Sequence, residues 1–354
     1  MRVNPGVQAA IAVLLAATNF IALRAADPPF RFVDVASQSG ITLLNIAGTK
    51  SKNYLIDSTG NGAAFLDYDR DGDMDVLIVN GSSLARMKTG GDQMVALYRN
   101  DGRGHFSDVT ASSGLTRRGW GMGTCVADYD NDGFPDVYVT AFGPGVLWHN
   151  TGRGTFTETG QAVDTGWSTG CAFGDYDRDG FVDLYVARYL SMEWEKFAPN
   201  GERTCRFMTI AIPCGPKPLR GEPDVLYHNT GKGTFVDATK SAGVSIQGGH
   251  YGFGVLFSDL DEDGWPDIYV ASDSVPSLFF RNLRNGTFSE EALRAGIAVS
   301  GDGREQAGMG IDAGDYDGDG HLDLIKTHFS QDYTTLYKNM TIDAPNNDAS
   351  ATHK

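Results

Sequence analysis

The sequence contains few residues of the kinds that define several other protein classes. Only 29 of its 354 residues are Lys or Arg, against 45 Asp and Glu, which gives a formal net charge of −16. Nucleic acids and anionic membrane surfaces would repel such a chain, so neither is an expected partner. Pro is present 13 times and the 45 Gly follow no Gly-X-Y period, which excludes a collagen. No CxxC or HExxH spacing occurs, which disfavours a zinc site.

Long apolar runs are also missing, except for one at the N-terminus. Residues 1–26 contain Arg2, an apolar run from Val7 to Leu23, and small residues at Ala25 and Ala26. This pattern predicts a secretory signal peptide. The alternative is an uncleaved membrane anchor, because the run is about as long as a short spanning helix. The expected location is therefore secreted, periplasmic or on the cell surface, with membrane attachment only if the segment stays uncleaved.

Cysteine is present only four times, but an exported chain allows cysteines to pair. Cys205 and Cys214 lie in one Pro- and Gly-rich stretch, and they are predicted to form a disulfide bond that closes this loop. Cys125 and Cys171 precede equivalent motifs, one residue out of register. They either face each other across adjacent repeats or are buried thiols.

Glycine and a repeated Asp-rich loop are abundant. The pattern D-x-D-x-D-G-x-x-D, followed by an apolar residue, occurs five times, starting at Asp67, Asp128, Asp175, Asp259 and Asp315. A Gly-rich apolar segment precedes each loop and a β-branched run follows it. A turn, an aromatic segment, an Asn/Gly turn and, in most units, a last segment that begins at Phe complete the repeat. Four short antiparallel strands in a unit of about 45 residues are typical of a β-propeller blade.

The predicted fold is therefore all-β, a β-propeller of four-stranded blades with five recognisable repeats. The propeller is expected to span residues 27–341 and to carry an insertion at 189–223, where the interval between repeats is longest. Residues 342–354 are polar and are expected to form a disordered tail.

The two ends of the propeller allow two interpretations, a closed ring or a truncated one. The segment FRFVDVASQSGI at 30–41 is similar to the last strand and exit turn of a blade, as found at 106–115 and 235–244. The fifth unit reaches 336–340 and stops before it supplies such a strand. Either the N-terminal strand completes the fifth blade and closes the ring, or the ring is truncated.

The loop aspartates are predicted to bind calcium. Carboxylates at alternating positions of one short loop repel each other, and the Gly at the sixth position allows a tight turn. Hard oxygen ligands in this arrangement suit Ca²⁺, whereas Mg²⁺ keeps more of its waters. The loop is not an EF-hand, which needs Glu at the twelfth position and flanking helices. The alternative is an Asp-rich turn whose side chains only cap the backbone.

The prediction assigns up to five calcium ions, one to each loop. In each loop the first, third, fifth and ninth residues supply side-chain oxygens, and the seventh supplies a backbone carbonyl, which in the first loop belongs to Asp73. The predicted side-chain ligands are Asp67, Asp69, Asp71, Asp75, Asp128, Asp130, Asp132, Asp136, Asp175, Asp177, Asp179, Asp183, Asp259, Asp261, Asp263, Asp267, Asp315, Asp317, Asp319 and Asp323.

The repeats resemble FG-GAP/VCBS repeats, the calcium-binding blades that also form integrin α-subunit propellers. The segment CGP at 214–216, the following PDVLYHNTGKGTF and the later THFSQDYTTLYKN resemble the bacterial cartilage-acidic-protein family more closely. Members of that family often continue into further repeats and a C-terminal ASPIC/UnbV domain, which this sequence lacks. The resemblance implies a propeller with bound calcium and a role in binding or adhesion.

The sequence is predicted not to be an enzyme, because no nucleophile and base occur at a supporting spacing. His149 and His228 occupy the same repeat position, which favours a structural role. The favoured function is an exported calcium-binding module that binds or adheres to an extracellular protein or glycan. The alternative is a propeller enzyme that acts on polysaccharide through a pocket of dispersed residues. The insertion is the expected place for either activity, because it is the one long departure from the repeat.

Overall fold

The structure is a computed structural model that describes residues 32–341 apart from 51, 53, 163, 192–203, 208, 214, 218, 247, 249, 330 and 331. The predicted signal peptide and the predicted tail lie outside the described residues, as does part of the insertion. Within the described ranges no helix is long and apolar enough to cross a membrane.

Strands form most of the regular structure in the described chain, because β-branched and aromatic segments alternate with glycine-containing turns. The short helices are α1 (Ala36–Ser39), a 3₁₀ turn (Leu55–Ser58), α2 (Leu84–Met87) and α3 (Ala292–Ala295). In chain order the strands are β1 (Ala63–Leu66), β2 (Asp75–Val79), β3 (Asp92–Gln93), β4 (Val95–Asn100), β5 (Phe106–Asp108), β6 (Arg118–Gly119), β7 (Gly121–Ala127), β8 (Asp136–Ala141), β9 (Val146–Asn150), β10 (Phe156–Glu158), β11 (Ser168–Gly174), β12 (Asp183–Arg188), β13 (Thr204–Phe207), β14 (Ile210–Pro213), β15 (Val225–Asn229), β16 (Phe235–Asp237), β17 (Gly252–Ser258), β18 (Asp267–Ser272), β19 (Leu278–Asn282), β20 (Phe288–Glu290), β21 (Gly308–Gly314), β22 (Asp323–His328) and β23 (Thr335–Tyr337).

Five antiparallel sheets follow one another along the described chain, and each is one blade. Blade 1 has the strand order β1-β2-β4-β5, blade 2 has β7-β8-β9-β10, blade 3 has β11-β12-β15-β16 and blade 4 has β17-β18-β19-β20. Blade 5 has three strands in the described residues, β21-β22-β23. Two ribbons pair β3 with β6 and β13 with β14, the second inside the insertion. The predicted all-β fold of propeller blades is confirmed.

The first strands of neighbouring blades pack against one another, β1 on β7, β7 on β11, β11 on β17 and β17 on β21. Their backbones approach so closely that glycine is required. A side chain at Gly123 would collide with the carbonyl oxygen of Thr169, and one at Gly170 with that of Phe253. This close approach explains the Gly-rich segment that precedes the Asp loops.

Apolar cores fill the spaces between successive blades. Between blades 1 and 2, Leu77 and Val95 belong to one buried cluster with Val137 and Trp148. Equivalent clusters lie between blades 2 and 3, blades 3 and 4, and blades 4 and 5. Each buried side chain of this size contributes roughly 1.5–3 kcal/mol relative to an exposed one. These cores hold the blades in a fixed order and so position the five Asp loops.

A disulfide bond also joins two neighbouring blades. Cys125 of β7 is bonded to Cys171 of β11, with their Cα atoms 5.8 Å apart. Of the two interpretations that the sequence left open for this pair, the structure shows the bonded one. Cys205 is also disulfide-bonded, but Cys214 lies outside the described residues. The pairing of Cys205 with Cys214 therefore stays a prediction.

Candidate metal centres at the Asp loops

Each Asp loop connects the first strand of a blade to the second, and its backbone turns through two left-handed residues. In the first loop these are Arg70, with φ 57°, and Gly72, with φ 93°. Glycine adopts this conformation without steric cost, which is why the sixth position of the repeat is Gly. The fold of the loop thus follows from its sequence.

The first and fifth aspartates of each loop stabilise its backbone. Asp67 accepts hydrogen bonds from the backbone N–H groups of Asp71 and Gly72, each at 3.1 Å. Asp71 accepts one from the N–H of Asp73 at 3.0 Å. Bonds of the same kind recur in the other four loops. These hydrogen bonds agree with the alternative of an Asp-rich turn whose side chains only cap the backbone.

The ninth aspartate is buried and ties the loop to the third strand of its blade. In blade 1, Asp75 accepts hydrogen bonds from the N–H of Tyr68 at 3.1 Å and from that of Asn100 at 2.8 Å. Burial raises the pKa of Asp75 to about 6, because removal from water disfavours the charged carboxylate. Burial likewise raises the pKa of Asp136, Asp183 and Asp267 to about 7.

The third aspartate is the one that capping does not explain. In the first three loops its Oδ1 atom is buried and accepts no hydrogen bond from the described residues; these aspartates are Asp69, Asp130 and Asp177. In the same loops, carboxylate oxygens of the first, third and fifth aspartates lie within 4.8 Å of one another. A buried anionic oxygen without a partner is costly, and a divalent cation would satisfy it. The residues present therefore fit a calcium ion.

A basic side chain faces every loop, which the sequence analysis missed. It precedes an Asn that ends the third strand in blades 1–4 and lies just after that strand in blade 5, and the five residues are Arg99, His149, His228, Arg281 and Lys338. Alignment of the five repeats on that Asn would have revealed the position. Arg99, Arg281 and Lys338 form ion pairs with the third or fifth carboxylate of their loops, and the two histidines lie beside the third and ninth carboxylates.

The strength of this contact differs between the loops. Arg99 pairs with Asp69 at 2.7 Å and with Asp71 at 2.9 Å. Lys338 contacts both the third and the fifth aspartate of its loop. Arg281 lies further away, 3.8 Å from Asp261. The two histidines place Nδ1 beside the third and ninth aspartates, at 3.2 and 3.3 Å for His149 and at 3.5 and 3.0 Å for His228.

Neighbouring Asp loops also touch one another. The guanidinium of Arg70 in the first loop lies 5.2 Å from the ring centroid of Phe134 in the second. Asn131 of the second loop donates to the carbonyl of Gly180 in the third at 2.9 Å. Arg178 of the third loop stacks over Trp265 of the fourth, and Glu262 of the fourth loop pairs with His321 of the fifth. The five loops therefore form one continuous row at one end of the blades.

The opposite end of the blades carries a buried aromatic cluster. Trp120, Phe142, Trp167 and Tyr189 follow one another in edge-to-face contacts, with ring centroids 5.0–5.7 Å apart. Such contacts add to the apolar burial of the rings. Trp120 and Trp167, which recur before the second and third Asp loops, are both fully buried.

A family model described as FG-GAP-like repeat matches residues 67–139, 131–186, 219–270 and 259–325, more than half of the chain. The chain belongs to the FG-GAP-like repeat family. Cartilage acidic protein 1 of Homo sapiens is 30% identical over 30% of this chain and 24% of its own length. The Mus musculus protein of the same name is 30% identical over 30% of this chain and 25% of its length. The match thus spans about a quarter of these relatives.

Solved structures are similar to this chain at a lower level. An Agrocybe aegerita lectin that recognises non-reducing terminal N-acetylglucosamine has a TM-score of 0.42 and 17% identity, over 80% of this chain and 64% of the lectin. The V. cholerae biofilm matrix protein Bap1 has a TM-score of 0.35 and 13% identity, over 76% of this chain and 34% of Bap1. Neither likeness extends to a ligand.

Proposed function

We propose that this chain is an exported, calcium-stabilised FG-GAP propeller that acts as a binding or adhesion module for an extracellular protein or glycan. The observation that carries the calcium part is the buried Oδ1 of Asp69, Asp130 and Asp177, which accepts no hydrogen bond from the residues that the structure describes. Bound calcium would supply positive charge to carboxylates that otherwise repel each other across the loop.

The charge of the chain supports the same proposal. The twenty predicted side-chain ligands are nearly half of the 45 acidic residues. Five divalent ions would offset ten of the sixteen excess negative charges. Much of the acidity is then ligand charge, concentrated in one row of loops, rather than charge spread over the surface.

Export is supported by the disulfide bond between Cys125 and Cys171. Disulfide bonds persist in oxidising compartments and are rare in the cytosol. The predicted signal peptide at 1–26 leads to the same location.

A binding role, rather than catalysis, is supported by how the buried acids at the aromatic end are used. Asp164 pairs with Arg188, and Asp224 accepts hydrogen bonds from Tyr185 and from the backbone N–H of Arg188. Tyr189 donates to Asp273 at 2.6 Å. These carboxylates serve internal contacts that hold the blades together. Incubation with a panel of polysaccharides is expected to release no new reducing ends, and any such release would favour the enzyme alternative.

Thermal unfolding of the purified protein in calcium and in chelator tests the calcium part. Each site that binds only the folded state adds about 2.7 kcal/mol when calcium is 100-fold above its Kd. A large calcium-dependent rise in Tm is expected, and a smaller one with Mg²⁺. Asp130→Asn should reduce the rise, because it weakens one loop. The matched control is Asp302→Asn, which changes an exposed aspartate outside the loops.

Equal Tm values in calcium and chelator would contradict calcium binding to the folded protein. An equal loss in Asp130→Asn and Asp302→Asn would show that the effect is general charge screening rather than binding at the loops.

A further inference from the structure

Two contacts recur where one blade packs on the next, and each such place is called a joint below. At the joint of blades 1 and 2, Asn150 donates from Nδ2 to the carbonyl of Tyr68 at 2.8 Å. The ring of Phe156, which begins the fourth strand of blade 2, stacks on Tyr68 with centroids 6.1 Å apart. The Asn contact recurs from Asn229 to Tyr129, from Asn282 to Tyr176 and from Asn339 to Leu260. The ring contact recurs from Phe235 to Tyr129 and from Phe288 to Tyr176.

The joint between blades 4 and 5 keeps the Asn contact but has a cavity at the place of the ring. The cavity measures about 390 Å³, and Leu260, Phe279, Leu322 and Tyr337 line it. Leu260 occupies the repeat position of Tyr68. In the described chain β23 has no fourth strand beside it. The cavity therefore lies where the first residue of a fourth strand would pack.

The N-terminal segment has the sequence and the local geometry of such a strand. Residues 32–34 read Phe-Val-Asp, as do residues 235–237 of β16. The Oδ1 of Asp34 accepts a hydrogen bond from the N–H of Ala36 at 3.0 Å. The aspartates that end β5 and β16 accept the same bond two residues on, each at 2.9 Å.

The turn after this segment is already docked as a blade's exit turn. Gly40 has φ 97° and packs against the carbonyl oxygen of Phe106, the first residue of the fourth strand of blade 1. Gly114 and Gly243 pack in the same way against the first residues of β10 and β20. The segment therefore lies on blade 1 as the exit turn of one blade lies on the next.

We propose that Phe32–Asp34 is the fourth strand of blade 5 within the same chain, paired antiparallel with β23, so that the ring closes between blades 5 and 1. The register of blades 3 and 4 places Phe32 opposite Asn339 and Asp34 opposite Tyr337. The Phe32 ring then enters the cavity beside Leu260. In the structure this ring is 92% exposed, whereas that of Phe235 is 8% exposed.

Closure also completes the joint between blades 5 and 1. The residue equivalent to Tyr68 in the fifth loop is Tyr316, which is 55% exposed, against 5% for Tyr68. Asn100 donates to the carbonyl of Met74 in its own blade at 3.0 Å. Closure places Tyr316 beside Asn100 and Phe106. At the joint of blades 1 and 2 the equivalent residues, Asn150 and Phe156, contact Tyr68.

A designed disulfide tests the register. In blades 1 and 3 the residue after the fourth strand donates its N–H to the residue opposite, from Val109 to Leu97 and from Ala238 to Leu226. The same register places Val35 opposite Leu336, at a Cα separation that a disulfide can span. Val35→Cys/Leu336→Cys is expected to form an intramolecular disulfide on mild oxidation. Val35→Cys/Thr335→Cys is the control, because a one-residue shift turns the thiol to the other face.

The products are separated by non-reducing electrophoresis and sized by light scattering over a range of dilutions. A crosslinked monomer whose yield does not change on dilution supports the proposal. A crosslinked dimer would overturn it and make a second copy the occupant of β23. Two thiols that stay reactive towards maleimide would overturn it as well.

A second pair of variants, made in the same crosslinkable protein, tests the contact of Phe32 with the cavity. Phe32→Asp, added to the Val35→Cys/Leu336→Cys protein, should lower the crosslink yield severalfold, because a carboxylate cannot replace the apolar contacts of the ring with Leu260 and Phe279. Val33→Asn should leave the yield unchanged, since residues at the equivalent position, such as Ser107, face solvent. Equal yields in the two variants would show that Phe32 does not fill the cavity.

Discussion

Blades 2 and 3 differ from blades 1, 4 and 5 in what faces their Asp loops. A histidine faces the loops of blades 2 and 3, whereas Arg99, Arg281 and Lys338 face the loops of the other three. Arg and Lys carry a fixed charge at neutral pH and repel a cation, while a neutral imidazole does not. We therefore expect the five loops, although nearly identical in sequence, to be unequal as metal sites.

The same two blades are also joined covalently. The disulfide bond links β7 to β11, the strands that lead directly into the second and third loops. The two blades expected to repel calcium least are thus also tied to each other by a covalent bond. The comparison leads us to expect that the Asp motif locates the metal sites, while the third strand sets their relative affinity.

The largest expected effect comes from removing this covalent link. Cys125→Ser/Cys171→Ser should lower the free energy of unfolding by about 2–4 kcal/mol, because the unfolded chain gains freedom when a long loop is opened. Denaturant unfolding in calcium measures it. The reduced wild-type protein is the control, and a free energy unchanged from that of the oxidised protein would contradict the stabilising role of the bond.

The next effect tests the histidines. His149→Arg/His228→Arg should make the second and third loops resemble the first and weaken their calcium binding about tenfold each, or ~1.4 kcal/mol per site. Isothermal titration calorimetry measures the affinities. Thr157→Arg is the matched control, since Thr157 lies opposite His149 on the exposed fourth strand. Equal affinities in all three proteins would break the comparison.

The reverse change should have a smaller effect. Arg99→His removes two partly exposed ion pairs that calcium must displace in the first loop. Calcium affinity of that loop is therefore expected to rise severalfold, and calorimetry should show a third tight site. If only two tight sites are found, the ion pairs of Arg99 do not lower the calcium affinity of the first loop.

The smallest effect concerns blade 5, where a lysine occupies a core position. Lys326 is buried, and Val139, Val186 and Val270 fill the same place in blades 2–4. Its Nζ donates to Ser277 at 3.1 Å and lies 5.5 Å from the Tyr337 ring. Lys326→Val should raise the free energy of unfolding by about 1 kcal/mol, because it removes a buried polar group.

The pH dependence of this lysine has a definite sign. Burial lowers the pKa of Lys326 to about 8 in the folded protein, below its ordinary value of 10.5. Between these values the unfolded chain binds more protons, so the free energy of unfolding of the wild type rises with pH relative to Lys326→Val. Parallel denaturant curves at pH 7.5 and 10 measure it, and a constant difference between the proteins would contradict the account.

Most of the fold could be predicted because it is local and repeated. The five Asp loops, the Gly-rich strand before each and the Phe that begins most fourth strands are all readable in sequence. The sequence allowed two interpretations of Cys125 and Cys171, a disulfide bond or two buried thiols, because they lie one residue out of register. That offset is what lets them meet, since consecutive residues of a strand point to opposite faces and the two blades face each other.

Two features of the site depend on contacts across the fold. The ninth carboxylates were predicted as ligands, and the structure adds that backbone N–H groups of the loop and of the third strand bind them. The basic residues facing the loops come from a strand that follows far along the chain, so loop spacing alone does not reveal them. Calcium binding itself remains a prediction.

The most direct measurement is a calorimetric calcium titration of the chelator-treated protein at pH 7.5. The account predicts calcium binding in at least two classes, with two tight sites, at the loops facing His149 and His228, filled before the weaker ones. Five equivalent sites would contradict the role given to the third-strand residues, and the absence of any binding would contradict the assignment of the Asp loops as calcium sites.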